Sequence, residues 1–287
     1  MSAWTLGRTP AAGAPLYGGG LGARLARRFA ERTMAAALRD AFRRVVWVGE
    51  PPAPAPGRPL VLYANHHIYH DSFLLWHLLT RTLRRPAFVW MERWDAAPFF
   101  GAIGALPFPA DDARARVRAV RTVAARMHAD ARTALYLYPE GTMGPPEAGL
   151  ASFQTDVARL ARLLPDDAAW WPVAVGTSWW GESLPTALLT AGAPHAPDGT
   201  ERERLAAALG RLRAARPADL AAGRAHLLAE GRRGPDERWD LRRLAPAFRG
   251  LTFATAAPPA ARDAARGPGG SPDAQARTPA AAPSPRS

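Results

Sequence analysis

The stretch LVLYANHHIYHDSF, residues 60–73, begins as a strand and ends as the start of a helix. Leu60 to Ala64 form an unbroken apolar run of the kind a buried strand needs. The polar cluster Asn65 to Asp71 then falls at the strand's end, where layered α/β sheets present their functional groups.

Working outward, runs of the same character recur at VVWV (45–48), AFVWM (87–91), ALYLY (134–138), WPVAV (171–175) and ALLTA (187–191). Helix-like segments lie between several of them, notably over 111–132 and 153–164. The alternation predicts an α/β domain with a central mixed, mostly parallel sheet flanked by helices. Residues 200–228, rich in Ala, Leu and Arg, read as helices broken near Gly210 and Pro217. Met34, Leu38, Ala41, Phe42 and Val45 follow helical spacing with Arg39, Arg43 and Arg44 off the stripe. Such a helix either packs on the domain or lies on an anionic bilayer. The expected organisation is a flexible segment over 1–24, one domain over 25–255, and a disordered Pro/Ala-rich tail over 256–287.

A chain of 287 residues with 48% hydrophobic content can bury one substantial core. The formal charge is +12, and all 37 basic residues are arginine, a usage that fits a GC-rich genome. So basic a surface favours anionic partners: nucleic acid, phospholipid headgroups or a phosphorylated small molecule. The absence of cysteine excludes disulfides, a cysteine nucleophile and thiolate metal ligands. No run of about 18 to 20 apolar residues and no signal-peptide pattern is found, so a cytoplasmic protein that meets membranes only at their surface is expected.

Two chemistries fit the histidine-rich turn. His66 and His70 have the i, i+4 spacing of two ligands on one helix face, but His77, His128, His195 and His226 are scattered singly, and no metal is expected. The other chemistry is proton transfer. On a continuous helix, about 100° per residue would put His66 and Asp71 some 140° apart. With His66 in the turn before the helix and Asp71 in its first turn, the carboxylate reaches one imidazole nitrogen and leaves the other to act as a general base. Asn65 then orients the turn, His67 and His70 are spectators, and the plainer alternative is that His66 merely caps the helix. A second landmark, LYLYPEGTMG (135–144), is again a strand running into a turn. Glu140 is placed to bind acceptor hydroxyls, and Gly141 lets backbone amides approach an oxyanion or phosphate.

Together these blocks resemble the glycerolipid acyltransferase family, which includes the 1-acylglycerol-3-phosphate acyltransferases. Asn65, His66 and Asp71 match its first motif, and Pro139, Glu140, Gly141 and Thr142 its Pro-Glu-Gly-Thr block. The likeness runs from about Val45 to about Pro194, with Pro172 at the position of the last motif's proline. It implies that His66 is the general base and Asp71 its partner, with Asn65, Glu140, Gly141 and Thr142 around the substrate. The implied reaction moves a fatty acyl group from acyl-CoA or acyl carrier protein directly to a lipid hydroxyl, without metal or prosthetic cofactor, at the inner face of the cell membrane.

The chain departs from the family twice. Ala110 stands where relatives carry an acceptor-phosphate arginine, with Arg114 or Arg116 as substitutes, and FQTD (153–156) replaces a basic block. These losses favour an uncharged acceptor, a glycolipid or carotenoid glycoside, over one like lysophosphatidic acid. Trp170, Trp171, Trp179 and Trp180, with Met91, Trp94, Phe99 and Phe100, are candidates for an acyl groove, core packing or a bilayer interface. The serine-hydrolase elbow GxSxG is absent. The rival functions are a metal-dependent hydrolase built on the histidines and a non-catalytic lipid- or nucleic-acid-binding protein, although no recognised nucleic-acid module is present.

Overall fold

A computed structural model describes residues 20–54, 56–154 and 157–234. They belong to a compact unit that runs to Trp239, while a second unit, Asp240–Ser287, and the expected tail lie outside the described residues. In chain order the elements are α1 (Gly20–Ala41), β1 (Arg44–Val48), β2 (Leu60–Ala64), α2 (Asp71–His77), β3 (Ala87–Met91), β4 (Ala105–Pro107), α3 (Ala113–Ala129) and β5 (Ala134–Leu137). They continue with α4 (Val157–Ala161), β6 (Ala169–Ser178), β7 (Thr186–Ala191), α5 (Glu201–Arg213), α6 (Pro217–Ala221) and β8 (Ala225–Glu230). A π-helical turn, Leu78–Thr82, prolongs α2, and two 3₁₀ turns, Trp94–Ala96 and Pro98–Ile103, precede β4.

The strands form one sheet in the order β4-β3-β5-β2-β6-β7-β1-β8. Pairing is parallel except at β6–β7 and β1–β8, so the sheet is mixed and mostly parallel, as the alternating pattern predicts. All five residues of β2 are buried, which is why that strand reads as a continuous apolar run. One face packs on α1 and α2 through Met34, Leu38, Leu74 and Leu75. The other packs on α3 and α5 through Val123, Met127, Leu205 and Leu209. The element that positions the site is the parallel pair β2–β5, in which Leu60 to Tyr63 align with Ala134 to Leu137. Parallel pairing brings both C-terminal ends, and hence both polar blocks, to one edge.

All six expected strands form. Two more, β4 and β8, were not foreseen. β8 falls within and just beyond the stretch read as helices, because pairing with β1 overrides the helical preference of AHLLAE. The break expected at Gly210 does not occur. α5 runs through it to Arg213, since an exposed glycine in a helix costs only about 1 kcal/mol. α1 begins at Gly20, inside the stretch expected to be flexible, because Leu21 and Ala23 to Ala26 are good helix formers that outweigh Gly22. Its Met34 and Leu38, and Phe42 beyond its end, are buried in the core, while Val45 belongs to β1. That stripe is therefore a packing face and not a bilayer face.

Candidate active site

β2 ends at Ala64, and the next side chain takes over its hydrogen bonding. The Asn65 amide donates to Val175 O (2.8 Å) and its Oδ1 accepts from Val175 N (2.8 Å), extending the β2–β6 ladder by one rung without main chain. The same Nδ2 donates to His67 Nδ1 at 3.1 Å, which leaves His67 Nε2–H to donate to Gly149 O at 3.1 Å. His67 is thus a neutral structural bridge. Asn65 is fully buried, with its amide spent on orienting the turn.

His66 sits between two carboxylates. Its Nδ1–H donates to Asp71 Oδ2 at 3.2 Å, an oxygen that also accepts from the backbone N–H of His67 (2.7 Å) and Ile68 (2.9 Å). Asp71 opens α2 and is fully buried, and its Oδ1 has no partner. Because a carboxylate only accepts, Nδ1 carries the proton and Nε2 is the basic nitrogen. The imidazole lies flat on the Tyr138 ring, with centroids 4.1 Å apart and planes inclined by 16°. The Tyr138 hydroxyl is 3.0 Å from Ser72 Oγ, and burial, then the charge of Asp71, holds its pKa well above the ordinary phenol value.

The second carboxylate is held by backbone amides. Glu140 is 3% exposed, and its oxygens accept from His66 N (2.9 Å) and Ala151 N (2.7 Å). Its place is between the histidine turn and the 140s loop, where it braces one against the other. Gly141 adopts a positive φ of 73°, and a Cβ there would lie 3.0 Å from the Gln154 side chain. Its N–H bonds to Tyr138 O, and Gly144 N–H bonds to His66 O, so these two amides are committed to the turn. Thr142 is exposed beside it.

A cavity of about 520 Å³ adjoins the dyad. His66 and Ser72 meet an otherwise largely apolar wall that includes Trp76, Met91, Phe100 and Tyr136, and Arg93 lies at its rim. A smaller cavity of about 230 Å³ lies against α5, with His67, Thr177, Leu212 and Arg213 in its wall. Arg114 and Arg116 line neither; they occupy the first turn of α3, whose N-terminus is capped by Asp112. Their expected role as replacement phosphate clamps is therefore not supported by their position. Of the large apolar candidates, Met91 and Phe100 line the large cavity, whereas Trp170 and Trp171 are core residues and Trp179 is exposed.

The three histidines of the turn do not converge on a metal site. His67 is used as above, and His70 packs edge-on against Phe42 and Phe73, with burial lowering its pKa. Among the described residues, the one cluster with metal-ligand spacing is His195, Asp198 and Glu201. Its atoms are already engaged: His195 Nε2 with the Tyr63 hydroxyl, and Glu201 Oε1 with the N–H groups of Asp198 and Gly199. Sequence reasoning missed Tyr138, Ser72 and Arg93. Tyr138 had a signal, since it immediately precedes Pro139, but the other two had none.

Comparisons with known proteins find one family model and a solved structure of similar fold. The family model "Acyltransferase" matches residues 44–176, from the first residue of β1 into β6, and so contains every dyad contact described. Among solved structures, the chain is similar to the 1-acyl-sn-glycerophosphate (LPA) acyltransferase PlsC from Thermotoga maritima. The identity is 18%, the match covers 66% of this chain and 75% of that one, and the TM-score is 0.41. No curated protein sequence matches the chain.

Proposed function

We propose that this chain, an acyltransferase by the family domain it carries over residues 44–176, transfers a fatty acyl group from a thioester to a lipid hydroxyl with His66 as general base. The observation that carries the proposal is the dyad's placement: Nδ1 is held by a buried Asp71, and the ring lines a cavity of about 520 Å³ whose wall suits an acyl chain. The acceptor O–H gives its proton to His66 Nε2 as the oxygen bonds to the thioester carbon. Collapse of the tetrahedral intermediate breaks the C–S bond, and the departing thiolate takes that proton back from the imidazolium. Asp71 stays ionised throughout, fixing the tautomer and stabilising the transient cation. No protein nucleophile is required.

The donor is acyl-CoA or acyl carrier protein, and the acceptor is a lysophosphatidic acid-like lipid or a neutral glycolipid such as a carotenoid glycoside. The reaction takes place at the inner face of the cell membrane. A phosphorylated acceptor would meet Arg93 at the cavity rim. The test offers the purified protein an acyl thioester with lysophosphatidic acid or a neutral glycolipid, identifying products by mass spectrometry. Transfer to either is expected, and His66→Ala should abolish it without lowering the melting temperature. Near-normal turnover in the variant would refute the base assignment, and transfer to the glycolipid alone would exclude Arg93 as a phosphate contact.

A further inference from the structure

The loop that follows β5 is tied to its neighbours by side chains. Among the described residues, the main chain of 145–151 pairs with other main chain only inside its own turn, Ala148 N–H with Pro145 O (3.1 Å) and Gly149 N–H with Pro146 O (3.3 Å). On the catalytic side, Ala151 N–H donates to Glu140 Oε2 (2.7 Å), and Gly149 O accepts from His67 Nε2 (3.1 Å). On the opposite side the contacts come from arginines of α5. Arg202 donates from Nη2 to Leu150 O (2.9 Å) and from Nε to Ala151 O (3.2 Å), and Arg213 Nη2 donates to Pro146 O (3.1 Å).

These contacts run in series to the base. Ala151 is gripped by Arg202 at its carbonyl and holds Glu140 with its N–H, and the other oxygen of Glu140 accepts the backbone N–H of His66. Gly149, with a left-handed φ of 72°, lies against Arg213, whose Nη2 would be 4.0 Å from a Cβ there. Its carbonyl takes the proton of His67, which pairs through its other nitrogen with Asn65. Arg202 and Arg213 are eleven residues apart; at about 100° each that is about 20° past three turns, so both leave one flank of α5. Arg211 leaves the helix about 180° from Arg202 and donates to Ala191 O instead (3.0 Å).

We infer that Arg202 and Arg213 are positioning residues for the acyl transfer, clamping the 145–151 loop against the His66 turn from a helix that lies beyond the matched family residues 44–176. An exposed guanidinium on a neutral carbonyl adds little to global stability, since water competes for both groups and a long side chain must be ordered. Its consequence is local: without the clamp, the Glu140 bridge to the His66 backbone loses its outer support. Misplacing a base by about 1 Å costs rate, up to about 100-fold, even when the mutation is remote from the chemistry. The fork suits Arg202 because two nitrogens span two successive carbonyls, which the single ammonium of a lysine holds less rigidly. The effect on rate rests on the function proposed above; the clamp itself does not.

The test compares Arg202→Met, Arg202→Lys and Arg213→Met with Arg211→Met, a matched loss of an arginine–carbonyl bond on the opposite flank. The full chain is followed by steady-state acyl transfer to the acceptor the wild type uses and by hydrogen exchange over 145–151, with unchanged melting temperatures verifying folding. Arg202→Met and Arg213→Met should each lower kcat about tenfold while KM stays within about twofold. Exchange of the Ala151 amide should quicken about tenfold in both. Arg202→Lys should recover kcat to within about threefold of wild type, and Arg211→Met should match the wild type in both measurements. A loss that Arg211→Met shares, a raised KM in place of a lowered kcat, or unchanged loop exchange would overturn the inference. If wild type and variants alike transfer no acyl group, the function proposed above fails, and the exchange result still decides the clamp.

Discussion

His66 is constrained from three directions: Asp71 at one nitrogen, the Tyr138 ring beneath, and Glu140 on its own backbone N–H. Each contact has a different physical basis, so each can be removed separately. Tyr138→Phe keeps the stacked ring and loses only the Ser72 contact, so kcat should stay within about twofold of wild type. Tyr138→Leu removes the ring face, and kcat should fall about 2- to 10-fold with KM unchanged, the scale of an aromatic contact beyond simple burial. Steady-state kinetics on both variants checks this, and equal losses would mean that the hydroxyl, not the ring, sets the imidazole plane. The dyad was legible in the sequence because a five-residue separation closes across a turn and not along a helix. The role of Glu140 was not, since a carboxylate at a strand end looks the same whether it faces backbone amides or a substrate.

At the scale of elements, the site is an arrangement of strand ends tied together by side chains. Asn65 joins β2 to β6, and Glu140 joins the turn after β2 to the loop after β5. Asn65→Ala would leave a buried N–H and C=O of Val175 unpaired, a loss of about 2–4 kcal/mol that denaturant melts would measure. Glu140→Gln can accept at one oxygen only, so it should lower both the melting temperature and kcat while leaving the acceptor KM unchanged. A raised acceptor KM with intact stability would restore the substrate-binding role. The strands were legible because a parallel sheet covered on both faces demands unbroken apolar runs. β4 and β8 were not, because a three-residue strand carries too little pattern, and an edge strand alternates with exposed positions that also suit a helix.

The whole molecule is strongly basic, yet its response to mild acid rests on histidines. Burial lowers the pKa of His70 and of His77, the latter also bonded to the Leu228 backbone. Both therefore bind protons more readily when unfolded, near their ordinary value of about 6.5. Stability they contribute is complete above that pH and is lost as pH falls toward the lowered folded values. The melting temperature should accordingly drop between pH 7.5 and 5, by about 2–4 °C for each kcal/mol lost, and His77→Gln should flatten the curve. Asp130 and Asp219, held below the usual carboxylate range by their hydrogen bonds, act only in more acid solution.

The strand order also has a consequence for how the chain is made. β1 pairs only with β7 and β8, so its place in the sheet does not exist until Thr186–Ala191 has been synthesised. At about 5–20 residues per second, the N-terminal strand waits roughly 7–30 s after emerging from the ribosome. During that interval β1 has both edges unpaired, whereas α1 can already pack on α2 and on the turn Pro98–Ile103, which are made well before β7. A strand that lies inside the finished sheet is thus, in the nascent chain, an unpaired apolar segment that a chaperone would recognise.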